Sequence, residues 1–256
     1  MSNLRFIIEK IEKLPPLSTE QLNIIESCIE NIKNTDEQWI NICINFFLDF
    51  YQNIANKEIY KNFDERKVKD GIIEYYSNSR NYSNKFTLTL ESKSKNTERV
   101  GYYDFLFQSI LWESNERYFA VEAKCLDGTK TSHNEYIHCH KSKELKGSDE
   151  KIQFPDGGVY RFLSLKYSED MGFGGMLAFV QKGKMSKNIS DIKSRLRDLK
   201  IKDEKTNHEF GENLDENLFN RAIDDYPHSF QSRHERYYEG TGGESILLYH
   251  IFMDFT

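Results

Sequence analysis

The chain has 256 residues, of which 38% are apolar, 14% aromatic and 30% charged, with a formal net charge of −6. That composition suits one large folded domain, or a compact domain with a helical extension, and excludes an intrinsically disordered chain. No run of about 18 apolar residues is present, so no membrane span is expected; the acidic total means that nucleic acid would have to be met by a local basic face.

The opening stretch MSNLRFIIEKIEKLPP has a short apolar segment interrupted by acids, unlike a secretory signal. Cys28, Cys43, Cys125 and Cys139 are widely spaced in no paired pattern, which predicts a reducing, cytoplasmic compartment. Ser18 can cap a first helix, with Gln21 three residues on, and Leu22, Ile25, Ile29 and Ile32 follow at helical spacing. A second helix is expected from near Asp36 through EQWINICINFFLDFYQNIAN, apolar on more than one face. Together they read as a packing or dimerising extension over residues 1–60, ahead of an α/β domain over residues 61–256.

In NFDERKVKDGIIEYYSNSRN, Val68, Ile72, Ile73 and Tyr76 make a helical stripe that ends near Asn81. KFTLTLE from Lys85 alternates as a strand does. Two further strands, over 102–112 and 118–125, are joined by the polar turn 113–116. A polar loop is expected from Asp127 to about Gln153. GGVYRFLSLKYSED then predicts a helix with Val159, Phe162, Leu163 and Tyr167 on one face, and GGMLAFVQKG a short buried strand. SKNISDIKSRLRDLK predicts a basic amphipathic helix, and SILLYHIFMDF a final strand. This order gives a mixed α/β sheet with helices on its faces.

Three charges interrupt the strands of YYDFLFQSILWESNERYFAVEAKCL: Asp104, Glu122 and Lys124. A buried charge is costly unless paired. Residues two apart on a strand share a face, so Glu122 and Lys124 project together, and the hairpin sets Asp104 beside Glu122. Two carboxylates that close repel unless a cation lies between them. Mg²⁺ suits such a site, because it takes oxygen ligands and keeps several waters. Such a water is a nucleophile, which Lys124 can orient or activate.

An acid in a strand, a hairpin and then VEAK resembles the PD-(D/E)xK nuclease superfamily, the restriction-endonuclease-like fold. The resemblance implies an αβββαβ core with a mixed central sheet, running from Glu65 to about Val180. It implies that Asp104, Glu122 and Lys124 are catalytic, with Mg²⁺ or Mn²⁺ held by Asp104, Glu122 and the carbonyl of Ala123. Glu65, which opens the first core helix, is the matching helix glutamate, with Glu74 second. Tyr103 stands where the family often has proline. The implied activity is a metal-dependent endonuclease cutting phosphodiester bonds, in DNA first of all, within restriction or anti-phage defence. A helicase or ATPase subunit that delivers the DNA, and a homodimer, are the partners it suggests. The alternatives are a catalytically silent nuclease-fold scaffold that binds DNA or a partner subunit, and a Lys–Glu pair that only flanks an apolar strand.

Other clusters carry less. His133, His138, Cys139 and His140 are zinc-ligand types, but their spacing fits no familiar module, and a polar loop beside the site is the expected reading. Lys193, Arg195 and Arg197 lie in a basic stretch diluted by Asp191 and Asp198; they read either as a solvated face or as phosphate contacts, which Lys141, Lys143, Lys146 and Lys151 would extend. Arg161, after the catalytic strands, reads as a phosphate contact or an exposed helix arginine. SFQSRHERYY, with Ser232, His234 and Arg236, reads as a polar connector.

Overall fold

A computed structural model describes residues 19–54, 57–94, 101–109, 117–144, 151–168, 170–203, 205–223, 225–238 and 240–256. The chain divides into two compact units, residues 1–49 and 50–256. The first is carried by helix α1 (Thr19–Asn53), which is continuous. The expected break near Asp36 is absent: the stretch NTDEQ contains neither proline nor glycine, and weak helix formers alone do not stop a helix. Trp39, Ile40, Cys43, Ile44, Phe46 and Phe47 are buried. The Ser18 cap lies outside the described residues, as does Lys146.

The second unit is α/β, built on a mixed six-stranded sheet. Strands β1 (Phe86–Lys93), β2 (Tyr102–Ser109) and β3 (Tyr118–Leu126) form an antiparallel meander. β3 then pairs in parallel with β6 (Phe173–Val180), β6 in parallel with β10 (Thr241–Asp254), and β10 antiparallel with the edge strand β9 (Ser229–Tyr238). Helix α2 (Glu65–Asn78) and the single turn α3 (Arg80–Ser83) precede β1.

Parallel neighbours need a long crossover, and the segment between β3 and β6 supplies it. It holds α4 (Lys130–Tyr136), the hairpin β4 (Cys139–Glu144) and β5 (Lys151–Asp156), and α5 (Gly158–Leu163). The expected polar loop over Asp127–Gln153 is thus corrected to a helix and a hairpin. Thr129 caps α4 by accepting from the Ser132 amide at 3.2 Å. The hairpin escapes a hydrophobicity reading because its strands are largely exposed: His140, Ser142, Lys143, Lys151, Gln153 and Phe154 all face solvent.

Helix α6 (Met185–Arg197) and a small hairpin, β7 (Ile201–Lys202) with β8 (Glu209–Phe210), follow β6. The core joins Tyr136 of α4, Val159, Phe162 and Leu163 of α5, and Ile192 and Leu196 of α6 to Ala120, Met176, Ala178, Leu248 and Phe252 of the sheet. α5 is shorter than its apolar pattern suggests, because Leu165 and Ser168 take positive φ angles of 56° and 51°. Tyr167 therefore leaves the helix, yet stays buried. SFQSRHERYY is strand β9 rather than a connector. Among the described residues no helix is long and apolar enough to cross a membrane.

Candidate active site

The β2–β3 ladder pairs Gln108 with Tyr118 through to Phe105 with Val121, and there it stops. One step further, Asp104 replaces the missing main-chain partner: its Oδ2 accepts from the Ala123 amide at 2.7 Å. β3 meanwhile stays paired to β6 through Leu126. The two strands therefore part at the level of Asp104 and Glu122, and an acid fills the gap.

Lys124 gathers the rest. Its Nζ lies 2.7 Å from Glu122 Oε1, 2.7 Å from the Ala123 carbonyl, 3.6 Å from Glu65 Oε2 and 3.9 Å from Asp104 Oδ2. Glu65 reaches it from α2, whose start is fixed by Asp64 accepting from the Lys67 amide at 2.9 Å and whose inner face is held by fully buried Val68 and Ile72. The four residues predicted as catalytic thus meet at one point.

Two partners were not apparent from the sequence. Lys69, one turn after Glu65, places its Nζ 2.7 Å from Asp104 Oδ1 and 3.6 Å from Glu65 Oε1. Its i,i+4 spacing from Glu65, beside inward-facing Val68, was the available signal. Asp156 closes β5 and binds Arg161 through Nε at 2.8 Å and Nη2 at 3.2 Å. Arg161 Nη1 donates to Glu122 Oε1 at 2.5 Å and to the Tyr167 hydroxyl at 3.2 Å; that hydroxyl donates in turn to the Tyr102 carbonyl. Lys141 approaches Asp156 at 3.1 Å. The Arg161 fork is therefore taken up by two carboxylates of the protein.

A glycine pair permits this approach. Gly157 has a φ of +119°, favoured only by glycine. A Cβ on Gly158 would come within 2.5 Å of the Met176 methyl and 2.9 Å of the Tyr136 carbonyl, and would touch Glu122 Cγ at 3.4 Å. Bare backbone here lets α5 approach β3 closely enough for Arg161 to reach Glu122.

Glu122 is fully buried, and its Oε2 has no hydrogen-bond partner among the described residues. Burial pushes its carboxyl up to about 7, against the pull of Lys124 and Arg161. Burial also raises Glu65. Burial opposes the Lys124 charge, but Glu122, Glu65 and Asp104 outweigh it and hold the amine above the usual lysine range. Asp156 is held well below the usual carboxylate range: burial works against this, and the Arg161 hydrogen bonds overcome it.

The donor chemistry fits Mg²⁺ or Mn²⁺. Asp104, Glu122 and the Ala123 carbonyl offer only oxygen, as a hard cation requires, and Glu122 Oε2 is a buried acceptor that no donor among the described residues satisfies. Among the described residues no group of three or more His, Cys, Asp or Glu is placed to hold a metal as it stands. The ammonium of Lys124 sits within the oxygen set, so a cation would have to displace it.

The other predicted residues lie apart from this cluster. Lys193 sits 4.9 Å over the Phe230 ring, Arg195 donates to Asn134 Oδ1 at 2.5 Å, and Arg197 is exposed. His133 bonds Asn188 at 2.8 Å, while His138 packs its ring edge-on to His140 and against Tyr160. On β9, Arg236 is buried and donates to the carbonyls of Glu244, Ser168 and Met171. The chain matches no protein-family model, no curated protein and no solved structure.

Proposed function

We propose that the chain is a metal-dependent nuclease that hydrolyses phosphodiester bonds in nucleic acid, DNA first of all, on a restriction-endonuclease-like core. The observation that carries this reading is the convergence of Glu65, Asp104, Glu122 and the Ala123 carbonyl on the Lys124 ammonium, with Glu122 Oε2 left without a partner among the described residues. Stability gives little reason to bury such a cluster, since buried ion pairs are often no better than packed apolar residues. With α3 and the α4–β4–β5 segment set aside as insertions, the order α2-β1-β2-β3-α5-β6, with a meander followed by a parallel strand, supports the αβββαβ core.

Asp104, Glu122 and the Ala123 carbonyl are the groups that would hold Mg²⁺ or Mn²⁺. When bound, such an ion supplies a water of lowered pKa and offsets charge on the phosphate. Lys124 stays protonated in its acidic surroundings, so it donates to the attacking water or a phosphoryl oxygen and does not act as the base. Glu65, raised by burial and beside Lys124, is the carboxylate placed to accept a proton. Arg161 holds Glu122 in position. A role in restriction or anti-phage defence, with a helicase or ATPase partner, extends the same reading.

One observation favours the silent scaffold: Lys69, Lys124 and Arg161 already neutralise the acids. Incubation with plasmid, linear duplex and single-stranded DNA, with and without Mg²⁺ or Mn²⁺, separates the two. The nuclease reading expects cleavage that depends on the ion and is lost in Lys124→Ala. DNA binding without cleavage under any of these conditions would leave the scaffold.

A further inference from the structure

Four large hydrophobic side chains stand exposed among the described residues: Ile59, Tyr102, Phe154 and Leu214. The two aromatic ones each lie two residues before a carboxylate of the acidic cluster, Tyr102 before Asp104 and Phe154 before Asp156. Tyr102 is 57% exposed and Phe154 36%. Neither position is casual. The Tyr102 carbonyl is held by Tyr167, which bonds Arg161, and Arg161 grips Asp156. On the hairpin, Phe154 faces Lys141 across the strands, and Lys141 reaches along the same face to Asp156 at 3.1 Å. Lys143, two residues on, is exposed and shares that face. An aromatic ring and two lysines thus form a strip that leads out from the acids.

We propose that Tyr102 and Phe154 form a stacking platform for unpaired bases, with Lys141 and Lys143 as backbone contacts, so that the substrate is a single-stranded polynucleotide segment. The ligand class rests on the nuclease reading above. The aromatic rings are what single out unpaired strands. Lysines alone would serve a duplex equally, whereas exposed rings beside cations are how proteins hold unpaired bases, whose faces a duplex hides. The overall charge of −6 fits a local contact better than a broad basic duplex cradle.

The test is fluorescence anisotropy in EDTA, which needs no cleavage, with labelled oligothymidylate and oligouridylate, and a blunt duplex of equal length. Wild type should bind the single strands several-fold more tightly than the duplex. Tyr102→Ala and Phe154→Ala should each weaken single-strand binding about tenfold and leave duplex binding nearly unchanged. Phe154→Trp should restore affinity and show tryptophan quenching when the oligonucleotide is added, and Lys143→Ala should flatten the salt dependence. Equal or tighter duplex binding, alanine variants that bind single strands like wild type, or no binding of any probe would overturn the platform. Aromatic-dependent binding by a protein that cuts nothing with Mg²⁺ or Mn²⁺ would keep the platform and defeat the nuclease reading; ion-dependent cutting that ignores both aromatic substitutions would do the reverse.

Discussion

Asp104 stands in for a strand: its Oδ2 accepts from the Ala123 amide at 2.7 Å at the step where the β2–β3 ladder ends, while its Oδ1 meets Lys69 at 2.7 Å. One side chain thus serves both the fold and the proposed chemistry, and two substitutions separate these roles. Asp104→Ala leaves the buried Lys69 ammonium and the Ala123 amide without their acid, and is expected to cost about 3–5 kcal/mol. Asp104→Asn keeps an acceptor for the amide but turns its NH2 towards Lys69, which loses its charge-assisted bond, so its cost should be about 2–3 kcal/mol. Urea unfolding measures both. Ion-dependent cleavage should be lost in both, so a folded Asp104→Asn protein that still cuts would remove Asp104 from the site.

Lys124 sits among the oxygens that would ligate the metal, 2.7 Å from both Glu122 Oε1 and the Ala123 carbonyl. Lys124→Met removes the competing ammonium and the proton donor together. Divalent-ion binding, followed by calorimetry with Mg²⁺ or by the paramagnetic signal of Mn²⁺, should tighten. Cleavage should fall at least about 100-fold, the usual loss for a transition-state donor. Weaker ion binding in this variant would mean that the lysine does not compete for those oxygens.

Arg161 ties Glu122 to Asp156 from a position where the sequence suggested a phosphate contact. Its planar fork serves both acids at once, and lysine cannot reproduce that geometry. Arg161→Lys is expected to destabilise the fold by about 2 kcal/mol and Arg161→Met by about 3–5 kcal/mol. The salt dependence of nucleic-acid binding should stay as in wild type, because no phosphate contact is lost. A drop in salt slope without a stability change would restore the phosphate role.

The meander and its charged residues were legible because they follow rules of period and cost. KFTLTLE alternates, GGMLAFVQKG is apolar throughout, and Asp104, Glu122 and Lys124 stand out as charges among apolar neighbours. Lys69 and Asp156 were not legible, although they touch the same cluster. Lys69 is one of many charged residues on α2, and its spacing from Glu65 beside Val68 was the only hint that it points inward. Asp156 ends a hairpin whose strands are largely exposed and carry few apolar residues. The two predicted N-terminal helices proved to be one because capping-type residues such as Thr35 and Asp36 also tolerate a helix interior.

The last prediction concerns a buried chain of polar groups linking α4, β9 and β10. Tyr136 OH lies 2.9 Å from His250 Nδ1, His250 Nε2 2.7 Å from Ser232 Oγ, Ser232 Oγ 2.9 Å from His234 Nε2, and His234 Nδ1 2.8 Å from the Gly211 carbonyl. A carbonyl only accepts, so His234 carries its proton on Nδ1 and accepts from Ser232 on Nε2. Ser232 then accepts from His250 Nε2–H, and Tyr136 donates to His250 Nδ1. With both imidazoles neutral every bond in the chain is satisfied. Burial pushes His234 down to about 4 and, with His234 and Lys193 nearby, His250 well below its usual value. The unfolded chain takes up these protons near pH 6.5 and the folded one resists, so their stabilisation is complete above about 6.5 and is lost as pH falls towards 4. For His234 alone the loss is roughly 3 kcal/mol. Urea melts from pH 8 to 4.5 should show it, with a shallower decline in His234→Gln, which cannot titrate. Identical slopes in the two proteins would show that His234 titrates at its ordinary value and that the chain of bonds does not hold it neutral.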